Sequence, residues 1–312
     1  MDNTVRLWDP KTGEQLGRTL SGHRKWITCL AWEPLHLNPK ANRLASSSKD
    51  GTVRVWDTTL RTCLFSVGGH TAAVTCVCWG GDGIIYTSSQ DKTIKMWNGE
   101  GKLIKTLSGH AHWVNSLAIS TGFVMRTGAF DHTGTRYDTP EKAIRMNLPL
   151  TAQERALERF KEALGSGTER LVSGSDDYTM YLWDPKNNKK PIARLVGHQK
   201  IVNHVSFSPD GRLIASASFD NSVKLWDGFS GKFITSLRGH VSAVYQVCWS
   251  SDSRLLVSAS KDSTLKVWDI KTRKLKLDLP GHADEVFSVD WSPGGDKVAS
   301  GGKDRVLKIW KN

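Results

Sequence analysis

One seven-residue pattern recurs along the whole chain and constrains the fold more than any other feature of the sequence. An aspartate precedes an aromatic residue by six positions in eight segments, which begin with Asp2–Trp8 and Asp50–Trp56. Seven of the segments end in tryptophan, and the segment Asp131–Tyr137 ends in tyrosine. The eight aromatic ends are spaced by 48, 41, 40, 46, 43, 42 and 42 residues. A period near 42 residues indicates one structural unit that is repeated along the chain.

Further polar residues stand at fixed places in each repeat. Gly-His pairs end 21 to 27 residues before six of the aspartates, and a Ser or Thr stands four residues before each complete aspartate. Short alternating segments with this period are typical of the four-stranded blades of a β-propeller, and the sequence resembles the WD40 family. The sequence therefore predicts an all-β WD40 propeller of six to seven blades with one short helical insertion.

The resemblance to WD40 repeats implies one hydrogen-bonded tetrad of His, Ser or Thr, Asp and an aromatic residue per blade. Buried polar groups must satisfy one another, so we interpret these histidines and aspartates as structural rather than catalytic. The predicted sets are His23, Ser46, Asp50, Trp56; His70, Thr87, Asp91, Trp97; His110, Thr127, Asp131, Tyr137; Ser173, Asp177, Trp183, which lacks a Gly-His; His198, Ser216, Asp220, Trp226; His240, Ser258, Asp262, Trp268; and His282, Ser300, Asp304, Trp310.

Two insertions interrupt the repeat. Residues 139–168 replace an expected Gly-His start, and Thr151 with Glu154 forms a capping box ahead of Leu157, Phe160 and Leu164 on one helical face. We predict a helix over 151–164 whose apolar stripe packs on the propeller, with docking to a partner as the alternative. The second insertion, Glu33–Lys40, contains two prolines and lengthens a loop. The strand near Gln15–Leu20 is a candidate for the last strand of the final blade.

Composition excludes several classes of protein. With 43 Lys and Arg against 31 Asp and Glu, the formal net charge is +12, which is typical of a basic soluble protein. No apolar run approaches the roughly 18 residues of a membrane span. The five cysteines fit reduced core thiols, and their spacing predicts no metal site. We find no nucleotide-binding or hydrolase motif, so the sequence predicts no enzyme, cofactor or small-molecule substrate.

The loops that carry the Gly-His pairs and the aspartate turns meet on one face of a WD40 propeller. Basic and aromatic residues alternate there, and this mixture suits RNA, an acidic protein segment, or a face that is only solvated. The candidate partner-binding residues are Arg24, Lys25, Trp26, Lys49, His112, Trp113, Phe130, Phe219, Lys261 and Lys303.

Four stretches are distinctive beyond the WD40 pattern. They are GHRKWITCLAWEPLHLNP (22–39), RTGAFDHTGTRYD (126–138), RLVSGSDDYTMYLW (170–183) and residues 271–310. Together they resemble the Notchless family of ribosome-assembly factors. The resemblance implies a scaffold in the nucleolus and nucleus that docks on precursors of the large (60S) ribosomal subunit, contacts ribosomal RNA and proteins, and is coupled to the AAA ATPase midasin through an N-terminal ubiquitin-like domain.

The start of the chain departs from that family. Met1 falls one residue before a repeat aspartate, so we expect an incomplete N-terminal blade, no ubiquitin-like domain, and a shortened form of a propeller that has eight blades in the family. Such a chain is expected to dock on a precursor without being pulled by midasin. The alternative function is a protein–protein adaptor in Notch signalling, and substrate recognition in a ubiquitin ligase is weaker because the sequence contains no adaptor-binding motif.

Overall fold

The chain folds into successive antiparallel sheets, and within each sheet every strand pairs with the next strand along the chain. The computed structural model describes residues 2–130 and 151–311. A two-stranded sheet comes first, five four-stranded sheets follow, and a three-stranded sheet comes last. The strands are β1 (Thr4–Val5), β2 (Leu20–Ser21); β3 (Ile27–Trp32), β4 (Arg43–Ser48), β5 (Thr52–Asp57), β6 (Thr62–Gly68); β7 (Val74–Trp79), β8 (Ile85–Ser89), β9 (Thr93–Trp97), β10 (Leu103–Ser108); β11 (Val114–Ile119), β12 (Leu171–Ser175), β13 (Thr179–Trp183), β14 (Ala193–Val196); β15 (Val202–Phe207), β16 (Leu213–Ser218), β17 (Ser222–Asp227), β18 (Phe233–Arg238); β19 (Val244–Trp249), β20 (Leu255–Ser260), β21 (Thr264–Asp269), β22 (Lys274–Pro280); and β23 (Val286–Trp291), β24 (Lys297–Gly302), β25 (Leu307–Lys311).

The WD40 propeller architecture is confirmed. We number the sheets that begin at β3, β7, β11, β15, β19 and β23 as the first to sixth blades, and the sixth blade has only three strands. The strand near Gln15–Leu20 was expected to complete the final blade, and this expectation is wrong. Leu20 instead pairs with Val5 in the two-stranded sheet, because a strand close in sequence is available to form the hairpin.

Consecutive blades share one type of apolar interface. Val53 and Val55 of the first blade pack with Val77 and Trp79 of the first strand of the second blade. Equivalent clusters join the fourth blade to the fifth and the fifth to the sixth. A single blade exposes both of its faces, so this packing against both neighbours supplies its core.

The two ends of the series of blades lack a complete neighbouring blade, although Val5 and Leu20 of the two-stranded sheet pack with Leu44 and Trp56 of the first blade. Leu30 and Trp32 in the first blade are 49% and 51% exposed, whereas Val77 and Trp79, their counterparts in the second blade, are buried. In the sixth blade Leu307 is 71% exposed, whereas its counterpart Leu265 is fully buried. Both terminal faces therefore present apolar side chains that an adjacent blade covers elsewhere in the structure.

The third blade is interrupted between its first two strands. Ile119 of β11 pairs directly with Leu171 of β12, although an insertion separates them in sequence. The described part of this insertion contains the helices α1 (Gly122–Thr127) and α2 (Ala152–Leu164). The predicted repeat unit that includes Thr127 is therefore wrong, because Thr127 lies in α1 and not in a strand. Asp131 and Tyr137 of that unit lie outside the described residues.

Local interactions fix both ends of α2. The Thr151 hydroxyl accepts a hydrogen bond from the Glu154 N–H, and the Glu154 side chain accepts one from the Thr151 N–H. At the C-terminal end the Gly165 N–H donates to the Lys161 carbonyl. The apolar stripe is oriented as predicted at Phe160, which is buried, whereas Leu157 remains partly exposed.

The two insertions of the sequence contact each other. The His36 ring, in the loop after β3, stacks on Phe160 of α2 with ring centroids 4.8 Å apart. The His36 Nε2–H donates to the Gly81 carbonyl of the second blade at 2.8 Å, and the Gln153 amide donates to the His36 carbonyl at 3.0 Å. These contacts hold the helical insertion of the third blade against the first and second blades.

The helix α1 reaches the opposite end of the series of blades. The Arg126 guanidinium forms an ion pair with Asp290 of β23 at 3.0 Å, so residues inserted in the third blade also contact the sixth.

Neither helix in the described ranges is long and apolar enough to cross a lipid bilayer.

We expect Leu265→Ala to lower the free energy of unfolding by about 2–5 kcal/mol, because truncation of a buried leucine leaves a cavity. The matched variant Leu307→Ala is expected to change it by less than about 0.5 kcal/mol, because the side chain is exposed. Urea unfolding monitored by circular dichroism measures both. An equal loss at Leu307 would show that another surface covers the sixth blade.

Candidate functional site

Each of the six Gly-His histidines joins a buried hydrogen-bond relay at one end of its blade. The indole N–H donates to the Ser or Thr hydroxyl at 2.8–2.9 Å. That hydroxyl oxygen lies 2.7–2.8 Å from histidine Nε2, and histidine Nδ1 lies 2.7–2.9 Å from the aspartate. An ionised carboxylate only accepts hydrogen bonds, so Nδ1 carries a proton and donates to it.

The tetrad of the third blade differs from the sequence assignment. His110 bonds to Ser173 and Asp177, which lie 63 and 67 residues further along the chain, rather than to Thr127 and Asp131. Trp183, not Tyr137, donates to Ser173. The sequence contains a usable signal for this pairing, because the unit at Ser173 lacks its own Gly-His and the unit at Thr127 ends in tyrosine.

Charge is stabilised on the tetrad aspartates and disfavoured on two of the histidines, His70 and His198. Burial alone would raise the pKa of Asp177, but hydrogen bonds from His110, Thr179 and the Ala111 N–H outweigh it and hold the pKa well below its usual range. Burial lowers the pKa values of His70 and His198, and their aspartate partners offset only part of this effect. The tetrads are therefore hydrogen-bonded within their own blades, and each joins a loop, two strands and a turn.

Ser173→Ala should lower the free energy of unfolding by about 1–3 kcal/mol, because it leaves the Trp183 indole and the His110 ring without their shared partner. The matched control is Thr127→Ala, which removes a bond to the Phe123 carbonyl and one from Arg159 of α2. Arg159 keeps the Gly128 and Phe130 carbonyls as acceptors, so this change should cost less than about 1 kcal/mol. Denaturant unfolding of the two variants decides between the assignments. A larger loss for Thr127→Ala would contradict the tetrad described above.

Acid should destabilise the protein in two steps. The lowered folded-state pKa values of His70 and His198 give stability that is present above about pH 6.5 and is lost as the pH falls through those values. The lowered aspartate pKa values give stability that is present above about pH 3.9 and is lost at still lower pH. The thermal midpoint, measured from pH 8 to pH 3, should be level above pH 7 and then fall. A midpoint that rises between pH 7 and pH 5 would contradict this mechanism.

Four of the candidate interaction residues lie together beside the first tetrad. Arg24, Lys25, Trp26 and Lys49 line a cavity of about 240 Å³, with Asn3 completing its wall. The Lys49 ammonium lies 4.4 Å from the centroid of the Trp26 ring. In the part of the chain that the structure describes, no carboxylate forms an ion pair with these three cations. This basic-aromatic pocket therefore retains its positive charge.

His112 and Trp113 form a separate pair on the third blade. Their ring centroids are 5.3 Å apart, and His112 Nδ1 lies 3.5 Å from the Asp176 carboxylate. Trp113 follows His110 by three positions, as Trp26 follows His23. Trp113 and Trp26 have similar exposure, 42% and 43%. The residue whose N–H bonds to the tryptophan carbonyl is an anion, Asp176, at Trp113 and a cation, Lys49, at Trp26.

Phe219, Lys261 and Lys303 lie in a third group, on the fourth to sixth blades, together with residues that sequence reasoning missed. Tyr245 packs between Phe219 and Phe287 at centroid distances of 5.7 and 5.3 Å. Its hydroxyl donates to Glu285 at 2.7 Å, and burial together with that carboxylate raises its pKa to about 12. The signal in sequence is positional, because Tyr245 and Phe287 are both the second residue of the first strand of a blade.

The lysines of this third group are paired. Lys261 Nζ lies 3.9 Å and Lys303 Nζ 3.6 Å from Glu285, and Lys303 also lies 3.5 Å from Asp284. Their charge is partly neutralised, in contrast to that of the pocket at Trp26. The structure therefore separates the candidate residues into one basic group and two groups of mixed charge.

Phe130 does not lie on the face of the tetrads, and its inclusion there is wrong. It follows α1, at the end of β11 away from His110, and the Arg159 guanidinium of α2 donates to its carbonyl. The error follows from the misassigned repeat unit, which placed Phe130 in a turn between two strands. Within residues 2–130 and 151–311, no group of three or more His, Cys, Asp or Glu is arranged to hold a metal ion.

Comparison with known proteins identifies similar chains. The family model "WD domain, G-beta repeat" matches residues 14–57, 61–98, 189–227, 231–269 and 273–311, and its matches leave out the segment that contains the helical insertion. The chain is 58% identical to ribosome assembly protein 4 of Saccharomyces cerevisiae, with 75% of this chain and 53% of that protein covered.

Two further relatives are of the same kind. The chain is 55% identical to protein Notchless of Drosophila melanogaster, with 65% of this chain and 41% of that protein covered. It is 62% identical to the Notchless protein homolog of Arabidopsis thaliana, with 74% and 47% covered. The chain thus spans about half the length of the curated relatives it matches.

Proposed function

Because this chain belongs to the WD-repeat family and its resemblance to Notchless is confirmed by relatives of 55–62% identity, we propose that it is a non-enzymatic scaffold of ribosome assembly. It docks on precursors of the large ribosomal subunit in the nucleolus and nucleus. The yeast relative is named a ribosome assembly protein, and this name supports the process that we assign to the chain.

The distribution of charge on the tetrad face supports this proposal. The chain carries a formal charge of +12. Among the described residues no carboxylate forms an ion pair with Arg24, Lys25 or Lys49, which lie around the Trp26 ring. Lysine and arginine neutralise phosphates, and aromatic rings stack on unpaired bases. A ribosomal precursor presents both kinds of group, so the basic-aromatic pocket is the part of the face that we assign to docking.

The internal bonding of the tetrads supports a scaffold rather than an enzyme. The histidines and aspartates that would otherwise be candidates for catalysis are committed to the relays. We assign contact with a midasin-type ATPase to the ubiquitin-like domain of the family and to no residue of the propeller. An adaptor for an acidic or phosphorylated protein tail is the competing function.

The test is sedimentation of the tagged chain from eukaryotic lysate on sucrose gradients, with and without RNase. We expect the chain to sediment with nuclear large-subunit precursors and to return to the top of the gradient after RNase. The triple variant Arg24→Glu, Lys25→Glu, Lys49→Glu should also remain at the top, because its face repels phosphate.

A matched charge control is Lys189→Glu, Lys190→Glu, Lys232→Glu, which changes three exposed lysines in loops at the opposite ends of the strands. This variant should still sediment with precursors. Equal losses in both variants would show that total charge, rather than the tetrad face, governs docking. Sedimentation of the wild-type chain at the top of the gradient, together with binding to a protein tail that resists RNase, would support the adaptor instead.

A further inference from the structure

We propose that the cavity beside Trp26 binds one unpaired RNA base, stacked on the indole ring, with the neighbouring phosphates held by Arg24 and Lys25. The inference rests on the proposed function, because a ribosomal precursor supplies the RNA. It goes further by naming the ligand group and the side chain that receives it.

The loop that carries the pocket is held rigidly by the first tetrad. The Arg24 N–H donates to the tetrad aspartate Asp50 at 2.9 Å. The Ser48 hydroxyl donates to the Lys25 carbonyl at 3.0 Å, and the Lys49 N–H donates to the Trp26 carbonyl at 2.9 Å. Three consecutive residues are thus fixed to one turn, so the loop loses little conformational freedom when a ligand binds.

The cation over the indole ring can be displaced by a base. Lys49 Nζ lies 4.4 Å from the Trp26 centroid, and an exposed cation–π contact of this kind is weaker than a base stacked on an aromatic side chain. A base that takes the place of Lys49 on the ring leaves the ammonium free to meet a phosphate. The exchange therefore favours a ligand that carries both a flat ring and a negative charge.

The cavity beside Trp26 has a volume of about 240 Å³ and is open to solvent. Its volume therefore describes the group that lies against the indole ring, and the rest of the ligand can extend along the face. A single flat base is a group of that size. Trp113 has the same position relative to its tetrad but lies beside Asp176, whose carboxylate repels phosphate, and so it is a matched control.

The test is fluorescence anisotropy of the full chain with a labelled single-stranded RNA and with an abasic RNA of the same length and charge. Stacking contributes about 1–3 kcal/mol per base, so the wild-type chain should bind the base-bearing RNA about tenfold more tightly. Trp26→Ala should abolish this preference and Trp26→Phe should retain most of it. Trp113→Ala should leave it unchanged, and circular dichroism checks that each variant is folded.

Equal binding of the two RNAs by the wild-type chain would overturn the proposal, even if Trp26→Ala failed to fold. Loss of the preference in Trp113→Ala, or displacement of the base-bearing RNA by an equally charged acidic peptide at the same concentration, would also overturn it. If the wild-type chain prefers the base-bearing RNA but does not sediment with precursors, base binding at Trp26 is supported and the proposed function is contradicted. If it sediments with precursors but shows no preference for the base-bearing RNA, the proposed function is supported and base binding at Trp26 is contradicted.

Discussion

The hydrogen-bond relay from indole to hydroxyl to imidazole to carboxylate is the interaction on which each blade depends. It joins a loop that enters the blade, the second strand, the turn after it and the third strand, as at His23, Ser46, Asp50 and Trp56. Every polar atom in the relay has its partner inside the blade, so burial costs little. The same relay positions the loop after each histidine. The loops of the interaction face are therefore held rigid by buried groups that do not themselves bind a partner.

A second constraint acts between blades. A blade has two apolar faces, and an internal blade has both covered by its neighbours, as Val77 and Trp79 show at the junction of the first two blades. The insertion in the third blade adds contacts of another kind, because it reaches His36 in the first blade, Gly81 in the second and Asp290 in the sixth. The series of blades is therefore held both by packing between neighbours and by a helical element that contacts non-adjacent blades.

Much of this organisation follows from the sequence, because the tetrad residues have fixed spacing and the helix at Thr151 carries its own capping signals. The exceptions arise where spatial neighbours are distant along the chain. His110 was paired with Thr127 because the spacing fitted, whereas its partners lie beyond the insertion. Phe130 was misplaced for the same reason. The pairing of Lys261 with Glu285, and the cluster around Tyr245, depend on contacts between different blades, which the repeat period does not predict.

The long separation of His110 from Asp177 has a consequence for how the protein folds. In five blades the relay closes over 21 to 27 residues, whereas in the third blade it closes over 67. The entropy lost in closing a loop grows with the logarithm of its length, and contacts between distant residues slow folding. Closing the relay of the third blade therefore costs about 1 kcal/mol more conformational entropy than closing one without the insertion, and the contacts of the insertion with the first, second and sixth blades offset this cost.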